Sequence, residues 1–468
     1  MKKISLSILA IWQLVGCGSM VEHPSPALPT LPTQWQQGAA VPGTAAEAWW
    51  EVFADAQLNA LMQRARVANF DVVQAALRLE QARLQTALAD RDQWPTASGG
   101  LSGNASRPLG SVPAQSPVQI GGVTYSFPSN PTISRSYGAG VQLSYEADLW
   151  SRIAASRSAA RDQQSAAQSD LDYARFLGSM AVARHYWKIA ALDRQRPLRR
   201  ATLDASDELL RILAARRSAG KATVEEVMAQ EDAQRQAVAA TEGLRTDRRS
   251  EQSALALLLG GTPEEFALVD AAMPARPLPA VAAGLPAELL DRRPDMRAKR
   301  LRLNATLQQL NIAEAARYPT LSLSAGVNTS SQALKDILSN PAGSLGWNLA
   351  LPLLDAQRLA NARDQRKIDV DLAVADFRDK LYAALGEVEL ALAKQPDNAR
   401  STERAERSLE KARRTENMMR VRLDVGAKAR SDVLNEQNST RNAEVALLQA
   451  RQAELDDWVL LRKALGGM

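Results

Sequence analysis

The sequence predicts a mainly α-helical chain of two structural halves, each inserting a pair of membrane-type β-strands between its helices. Three observations lead there: an internal repeat at a constant offset, four short segments that alternate apolar with small or polar residues, and a composition rich in helix formers.

The repeat is direct. Leu77-Arg78-Leu79 is followed fifteen residues on by Trp94-Pro95-Thr96, and Leu301-Arg302-Leu303 fifteen residues on by Tyr318-Pro319-Thr320. Pro95 and Pro319 stand 224 residues apart, a separation that also pairs Asp71 with Asp295, Ser98 with Ser322 and Asn104 with Asn328. Further on the separation is 206. It pairs Arg152 with Arg358, Arg157 with Arg363, Gly220 with Gly426, Val227 with Val433, and Gly260-Gly261 with Gly466-Gly467. Such a period is too long for a short-repeat solenoid and points to a duplicated half.

Composition bounds the function. Aromatic residues make up 5% and charged residues 23%, and the net charge of +5 is weak for 468 residues. No basic block is interleaved with aromatics, which argues against nucleic-acid binding. The only histidines are His23, in a proline-rich stretch, and His185, in a helical stripe. With no metal cluster, nucleophile motif or phosphate loop, the chain reads as a non-enzyme without cofactor.

Residues 1–16 read as a signal peptide: Lys2 and Lys3 precede an apolar stretch, and Leu14-Val15-Gly16-Cys17 has the form of a lipoprotein cleavage box. Cys17 is the expected lipidation site and, as the only cysteine, excludes a disulfide within the chain. Residues 17–48 form a tether marked by Pro24, Pro26, Pro29, Pro32 and Pro42. No other segment holds 18 consecutive apolar residues, so a membrane passage requires a β-barrel.

The first half is expected over 49–261. A helix over 70–93 ends at Pro95, and strands follow at about 96–104 and 137–149. A linker over 262–284 leads to the second half, 285–468, with strands at about 319–328 and 345–354. Leu321, Leu323, Ala325 and Val327 alternate with Ser322, Ser324 and Gly326; Leu345, Trp347 and Leu349 alternate with Gly346 and Asn348. One side of such a strand suits lipid and the other a wet lumen. Between Asn104 and Leu143 38 residues intervene, and between Asn328 and Leu349 20; the excess carries Pro108, Pro113, Pro117 and Pro128 and reads as a surface loop.

Each second strand gives way to a long helix. Tyr173, Phe176, Met180, Ala183, Trp187 and Ala190 step by three and four, as do Phe377, Leu381, Ala384, Val388 and Ala391. Pro197 and Pro396 are expected to kink these runs. Gly220 and Gly426 reverse the chain at helical tips, and a returning helix follows each. Trp94, Tyr318 and Trp347 fit either an interfacial aromatic belt or core packing.

Four features resemble the outer membrane factor family of TolC-like efflux channels, and within it the OprM/NodT lipoprotein branch. They are the box at Cys17, the segment Tyr145-Glu146-Ala147-Asp148-Leu149-Trp150-Ser151-Arg152, the segment Asp291-Arg292-Arg293-Pro294-Asp295, and the two tips from Gly220 to Gln230 and Gly426 to Gln437. The resemblance implies a homotrimer closing a 12-stranded outer-membrane barrel above a periplasmic α-helical tunnel. It implies a passive conduit of a tripartite efflux system, held in outer-membrane lipid, whose partners are a periplasmic adaptor (membrane fusion protein) and an inner-membrane pump. A family gate of acids six and nine residues past the second tip glycine falls here on Asp432 and on Asn435, with Glu436 beside it. Lys428 and Glu225-Glu226 match the family's tip-locking charges, with a Lys428–Glu226 pair expected. Gly220 and Gly426 mark the turns that meet the adaptor, and Leu423 stands where the family has tyrosine. The competing reading is a periplasmic coiled-coil scaffold or adaptor lipoprotein without a pore. It accounts for the helices but not for four alternating strands.

Overall fold

The computed structural model describes residues 32–36, 48–107, 109, 118–125, 133–264, 268, 271–275, 277–279, 281 and 283–466. The expected lipidation site Cys17 and residues 1–16 lie outside them. After a 3-10 turn at Trp49–Phe53 come α1 (Ala56–Ala68), α2 (Phe70–Arg91), β1 (Thr96–Ser106), β2 (Val118–Ile120), β3 (Val123–Tyr125), β4 (Ser134–Ala147), α3 (Arg152–Ser218) and α4 (Val224–Leu258). Then follow α5 (Leu289–Arg292), α6 (Pro294–Ala315), β5 (Thr320–Ser331), β6 (Pro341–Ala350), α7 (Ala356–Asp424) and α8 (Arg430–Ala464). The chain is mainly helical. Among the described residues no helix is long and apolar enough to cross a membrane.

The two longest helices have 67 and 69 residues. At 1.5 Å per residue each extends about 100 Å. Pro197 and Pro396 lie inside them without ending either helix. A proline removes one backbone hydrogen bond, and a long helix with packed neighbours absorbs that loss.

Among the described residues two compact units appear, one holding Arg83–Gln163 and Leu303–Ala373, the other the remainder. The first unit is built on an antiparallel sheet in the order β1-β4-β5-β6. The large loop between β1 and β4, expected as a surface loop, contains a hairpin of β2 and β3. Gly121 and Gly122 form its turn with φ of +62° and +86°, the pairing of left-handed residues that two-residue hairpins require.

The second unit is helical, and its core is aromatic. Trp49, Trp50, Trp187 and Trp458 are each 2% exposed, and Trp49 packs edge-on to Trp50 with centroids 5.8 Å apart. The guanidinium of Arg462 lies 5.7 Å over Trp49 and 5.3 Å over Trp458, a cation–π contact that partly offsets its burial. Two of these indole donors find acceptors: Trp49 donates to Ser179 Oγ at 3.2 Å and Trp458 to Pro279 O at 2.7 Å. Tyr186 donates to Asp55 Oδ2 at 2.7 Å; burial, reinforced by that carboxylate, pushes its phenol above the ordinary value. The stripe Phe176, Met180, Ala183, Trp187 and Ala190 is buried, and so is Phe377, Leu381, Ala384, Val388 and Ala391.

One buried charge organises the second half of this unit. Arg293 is 1% exposed. It bonds Asp295 through two nitrogens at 3.0 and 2.9 Å, Glu387 at 2.7 Å, and the carbonyl of Ala464 at 3.1 Å. Lys380 adds a second cation 3.0 Å from Asp295. Burial raises the Asp295 carboxyl, but Arg293 and Lys380 outweigh it and hold its pKa below the ordinary carboxylate range. The cluster thus joins the start of α6, the middle of α7 and the end of α8.

Removing Arg293 leaves a buried carboxylate short of partners, which costs about 3–5 kcal/mol. Arg293→Ala is therefore expected to lower the urea midpoint strongly, and Arg293→Lys, which lacks the planar fork, to rescue it only in part. Because the Asp295 pKa is depressed on folding, its contribution is full above the unfolded value of about 3.9 and fades as pH falls through the lower folded value. The stability gap between wild type and Asp295→Asn should narrow below about pH 4; a gap that widens there contradicts the assignment.

Candidate functional site: a two-faced sheet and two helical tips

The sheet has two unlike faces because its register keeps like residues together. Val141 pairs with Val327, Leu143 with Ala325 and Tyr145 with Leu323. Across the next ladder Leu321 pairs with Leu349, Leu323 with Trp347 and Ala325 with Leu345. All of these share one face. The other face collects Gln142, Ser144, Ser322, Ser324, Asn328 and Asn348, with Gly138 and Gly140 among them. Gly140 has little room for a side chain: a Cβ there would meet the Asn328 side chain at 2.0 Å and the Val327 carbonyl at 3.1 Å. The apolar face is bare. Leu101 is 86% exposed, Leu345 89% and Trp347 73%. An apolar sheet face left open in the single chain marks a surface made for an apolar medium or partner. Trp94 is likewise exposed.

The step from β4 into α3 is tied from both sides. Asp148 accepts from the amides of Ile153 at 3.0 Å and Ala154 at 2.8 Å, capping α3, while Arg152 grips Glu146 at 2.8 Å. Trp150 stacks on Tyr318 with centroids 4.8 Å apart and donates to Pro319 O at 2.7 Å. The Trp150 motif thereby binds the base of β4 to the entry of β5.

The tips obey one design. Gly220 (φ +68°) and Gly426 (φ +73°) sit just past α3 and α7, where a left-handed residue is required. Lys221 N donates back to Arg216 O at 2.7 Å, and Ala427 N to Arg422 O at 2.8 Å. The returning helices begin differently. Thr223 Oγ1 accepts from Glu226 N at 3.2 Å while Glu226 Oε2 accepts from Thr223 N at 2.8 Å, a complete capping box on α4. At α8 the cap position is Ala429, which has no side-chain acceptor. Only the Asp432 carboxylate serves there, accepting from Ala429 N at 3.3 Å.

Glu226 is thus engaged in its own cap. Lys428 lies 3.7 Å from Asp432 Oδ2, both side chains 40% exposed. Asn435 is exposed and Glu436 half-buried. Glu225 is exposed, and its own backbone amide, then Thr223, hold its carboxyl below the ordinary value. The expected Lys428–Glu226 pair is not among the contacts of the single chain.

A different pair joins the two tips. Arg430, at the start of α8, donates to Glu208 of α3 from Nε at 2.9 Å and from a terminal nitrogen at 3.3 Å. That hydrogen bond, then the charge of Arg430, holds the Glu208 carboxyl below the ordinary value. Leu434 packs beneath it against Ala205 and Leu209. Sequence reasoning missed this contact because its partners are 222 residues apart and both lie on solvated helix faces.

Residues 61–261 and 285–467 fit the outer membrane efflux protein family.

The chain belongs to that family.

Similarity extends over the whole length. The pyoverdine export outer membrane protein OpmQ of Pseudomonas aeruginosa is 29% identical, covering 100% of this chain and 97% of its own. The solvent efflux pump outer membrane protein SrpC of Pseudomonas putida is 28% identical, covering 100% of this chain and 98% of its own. Among solved structures the fold is that of the CmeC outer membrane channel of Campylobacter jejuni, with a TM-score of 0.84 at 19% identity over 96% of this chain and 95% of that one.

The unequal caps make a prediction. Ala429→Thr supplies the missing acceptor, worth about 1 kcal/mol at a helix N-terminus. Amide exchange in the first turn of α8 should slow, while Thr223→Ala should speed exchange in the first turn of α4.

Proposed function

We propose that three copies of this chain close a 12-stranded outer-membrane barrel continued by a periplasmic helical tunnel. They act as the passive conduit of a tripartite efflux system. The two-faced sheet with free edges carries the reading. Four strands with one apolar exposed face cannot sit in hydrocarbon with β1 and β6 unpaired, and copies of the same sheet complete the ring. A scaffold without a pore has no use for such a sheet. The chain is read as two structural repeats over 49–261 and 285–468, anchored in lipid through Cys17.

A periplasmic adaptor meets the tips around Gly220 and Gly426, and an inner-membrane pump supplies the energy. OpmQ and SrpC are named for pyoverdine and solvent, so the choice of cargo is assigned to the pump rather than to this fold. Around a threefold axis, Asp432 with Asn435 and Glu436 forms a polar ring that favours cations. The second tip, with half a cap, is the weaker one and the natural place for opening. Arg430–Glu208 ties it within each chain. Lys428 and Glu226 tie it between neighbours once they leave Asp432 and Thr223. Exposed pairs are each worth about 0–1 kcal/mol, a strength suited to a gate that has to open.

Purified protein should give channel conductance in a planar lipid bilayer; a scaffold gives none. Lys428→Glu and Arg430→Glu should each raise the open fraction, and unchanged conductance and drug sensitivity in both would remove the lock. On the sheet, Leu345→Arg should block membrane assembly, since a cation on the lipid face costs about 2–4 kcal/mol at the bilayer midplane. Asn348→Arg, on the polar face, should assemble and shift ion selectivity.

A further inference from the structure

The charges of the sheet are distributed unevenly. Between Asp92 and Glu146 the only charged residues are Arg107 and Arg135, and between Arg317 and Asp355 the only ones are Lys335 and Asp336. β1 leaves α2 at Thr96 and runs to Ser106, and β4 returns from Ser134 toward α3. All of these charges therefore lie at the end of the sheet away from the helices. In an outer membrane channel whose helices extend into the periplasm, that is the outer end. Lys335 and Asp336 are neighbours in one 3-10 turn and offset one another. Arg107 and Arg135 are left without an acid to balance them.

Strand alternation places both on the apolar face. Arg135 stands opposite Ala105 and shares its face with Tyr137, Val141, Leu143 and Tyr145. Arg107 comes one residue after the Ser106↔Ser134 pair, on the same face and diagonal to Arg135. Diagonal neighbours of an antiparallel pair lie about 7–8 Å apart, within reach of one bound group for side chains this long. Both side chains are exposed, and among the described residues neither enters an ion pair.

Their depth fits a lipid headgroup. Tyr137, one pleat below Arg135, lies against Gly103, where a Cβ would meet its ring at 3.5 Å. Ala139, Val141 and Leu143 follow, and Tyr145 stands in the row of Leu323 and Trp347. From Tyr137 to Tyr145, at about 3.3 Å per residue on a strand tilted by about 40°, the height gained is roughly 20 Å. Aromatic rings border the apolar band of a membrane strand, so hydrocarbon ends near Tyr137. Arg135 and Arg107 stand just above it, where the stem of an arginine rests on apolar surface and its guanidinium reaches the polar layer.

We propose that Arg107 and Arg135 form a clamp for the phosphate of the phosphorylated glycolipid in the outer leaflet. A guanidinium is a planar fork that takes phosphate oxygens two at a time, and two such forks match the charge of one phosphate monoester. Location selects the occupant. Only the outer leaflet reaches this end of the sheet, and phosphorylated glycolipid is its anion. At the other end, facing the phospholipid leaflet, arginines are already paired: Arg152 with Glu146, Arg317 with Glu314 and Arg358 with Asp355. The inference rests on the membrane-barrel reading above and adds a ligand to its outer rim.

The test uses the full-length protein in a neutral detergent. Lipid A bearing its phosphates should raise the unfolding midpoint, because a ligand of the native state stabilises it. Most of the rise should vanish in about 1 M sodium chloride, where the Debye length is about 3 Å. Dephosphorylated lipid A, and phosphatidylglycerol at equal phosphate, should have little effect. Arg107→Gln with Arg135→Gln should lose the rise, and Arg107→Lys with Arg135→Lys should keep part of it. Arg91→Gln, an exposed arginine at the periplasmic end of β1, should keep all of it. A rise that survives in the double glutamine variant, or that phosphatidylglycerol matches, overturns the clamp. Should that variant fail to assemble, the wild type decides alone: equal midpoints with phosphorylated and dephosphorylated lipid A overturn the proposal. Wild-type protein without conductance in phosphatidylcholine bilayers removes the barrel reading itself, whereas conductance without a phosphate-dependent midpoint removes only the clamp.

Discussion

A β-strand in hydrocarbon can satisfy its backbone N–H and C=O groups only on another strand. The other features of the sheet follow from that requirement. Within the chain β4 and β5 are paired on both sides, while β1 and β6 are paired on one. The apolar residues that equip the sheet for lipid make those open edges costly, because no water is present to take their place.

The helical unit meets a different constraint. Long helices carry little information about how they should dock, since alanine-rich stripes slide past one another at low cost. Arg293 removes that freedom. It is buried almost completely, so its charge has to be met by Asp295 and Glu387 and a further donor by the Ala464 carbonyl. Each partner sits on a separate helix or helix end. A shift of one turn would leave a charge unpaired in a low-dielectric interior, which is far more costly than a slipped apolar contact. The aromatic cluster around Trp49 and Trp458 adds mass to the core but would tolerate such a slip better.

The tips show how nearly equal halves come to differ in behaviour. Both use a glycine in the left-handed region and the same backbone hydrogen bonds. The first then has Thr223 and Glu226 closing both sides of its cap. The second has alanine at that place, and its acid serves the cap and a lysine together. Arg430 reaching Glu208 lays a weak, exposed tie between the two tips, a contact that salt or a docking partner can compete for.

Much of this was legible in the residues. The switch from helical to twofold period after Pro95 and Pro319, the buried stripes along α3 and α7, and the glycine turns at Gly220 and Gly426 depend on local spacing, and local spacing is what a sequence displays. Cys17 and the segment before it belong to the sequence reading alone. Other features depended on tertiary structure for an identifiable reason. Pro197 and Pro396 lie inside helices that continue past them, which their missing backbone donor alone would not foretell. The hairpin at Gly121-Gly122 lies within the loop that the prolines marked, and its pairing became visible only in the structure. Arg293 looked like one member of a motif until its partners arrived from α7 and α8. Lys428 and Glu226 satisfy groups on their own helices, while Arg430 and Glu208, with no periodic signature, find one another across 222 residues. Periodicity and turn chemistry act between near neighbours and can be read along the chain; which charge meets which depends on distances that exist only once the helices have packed.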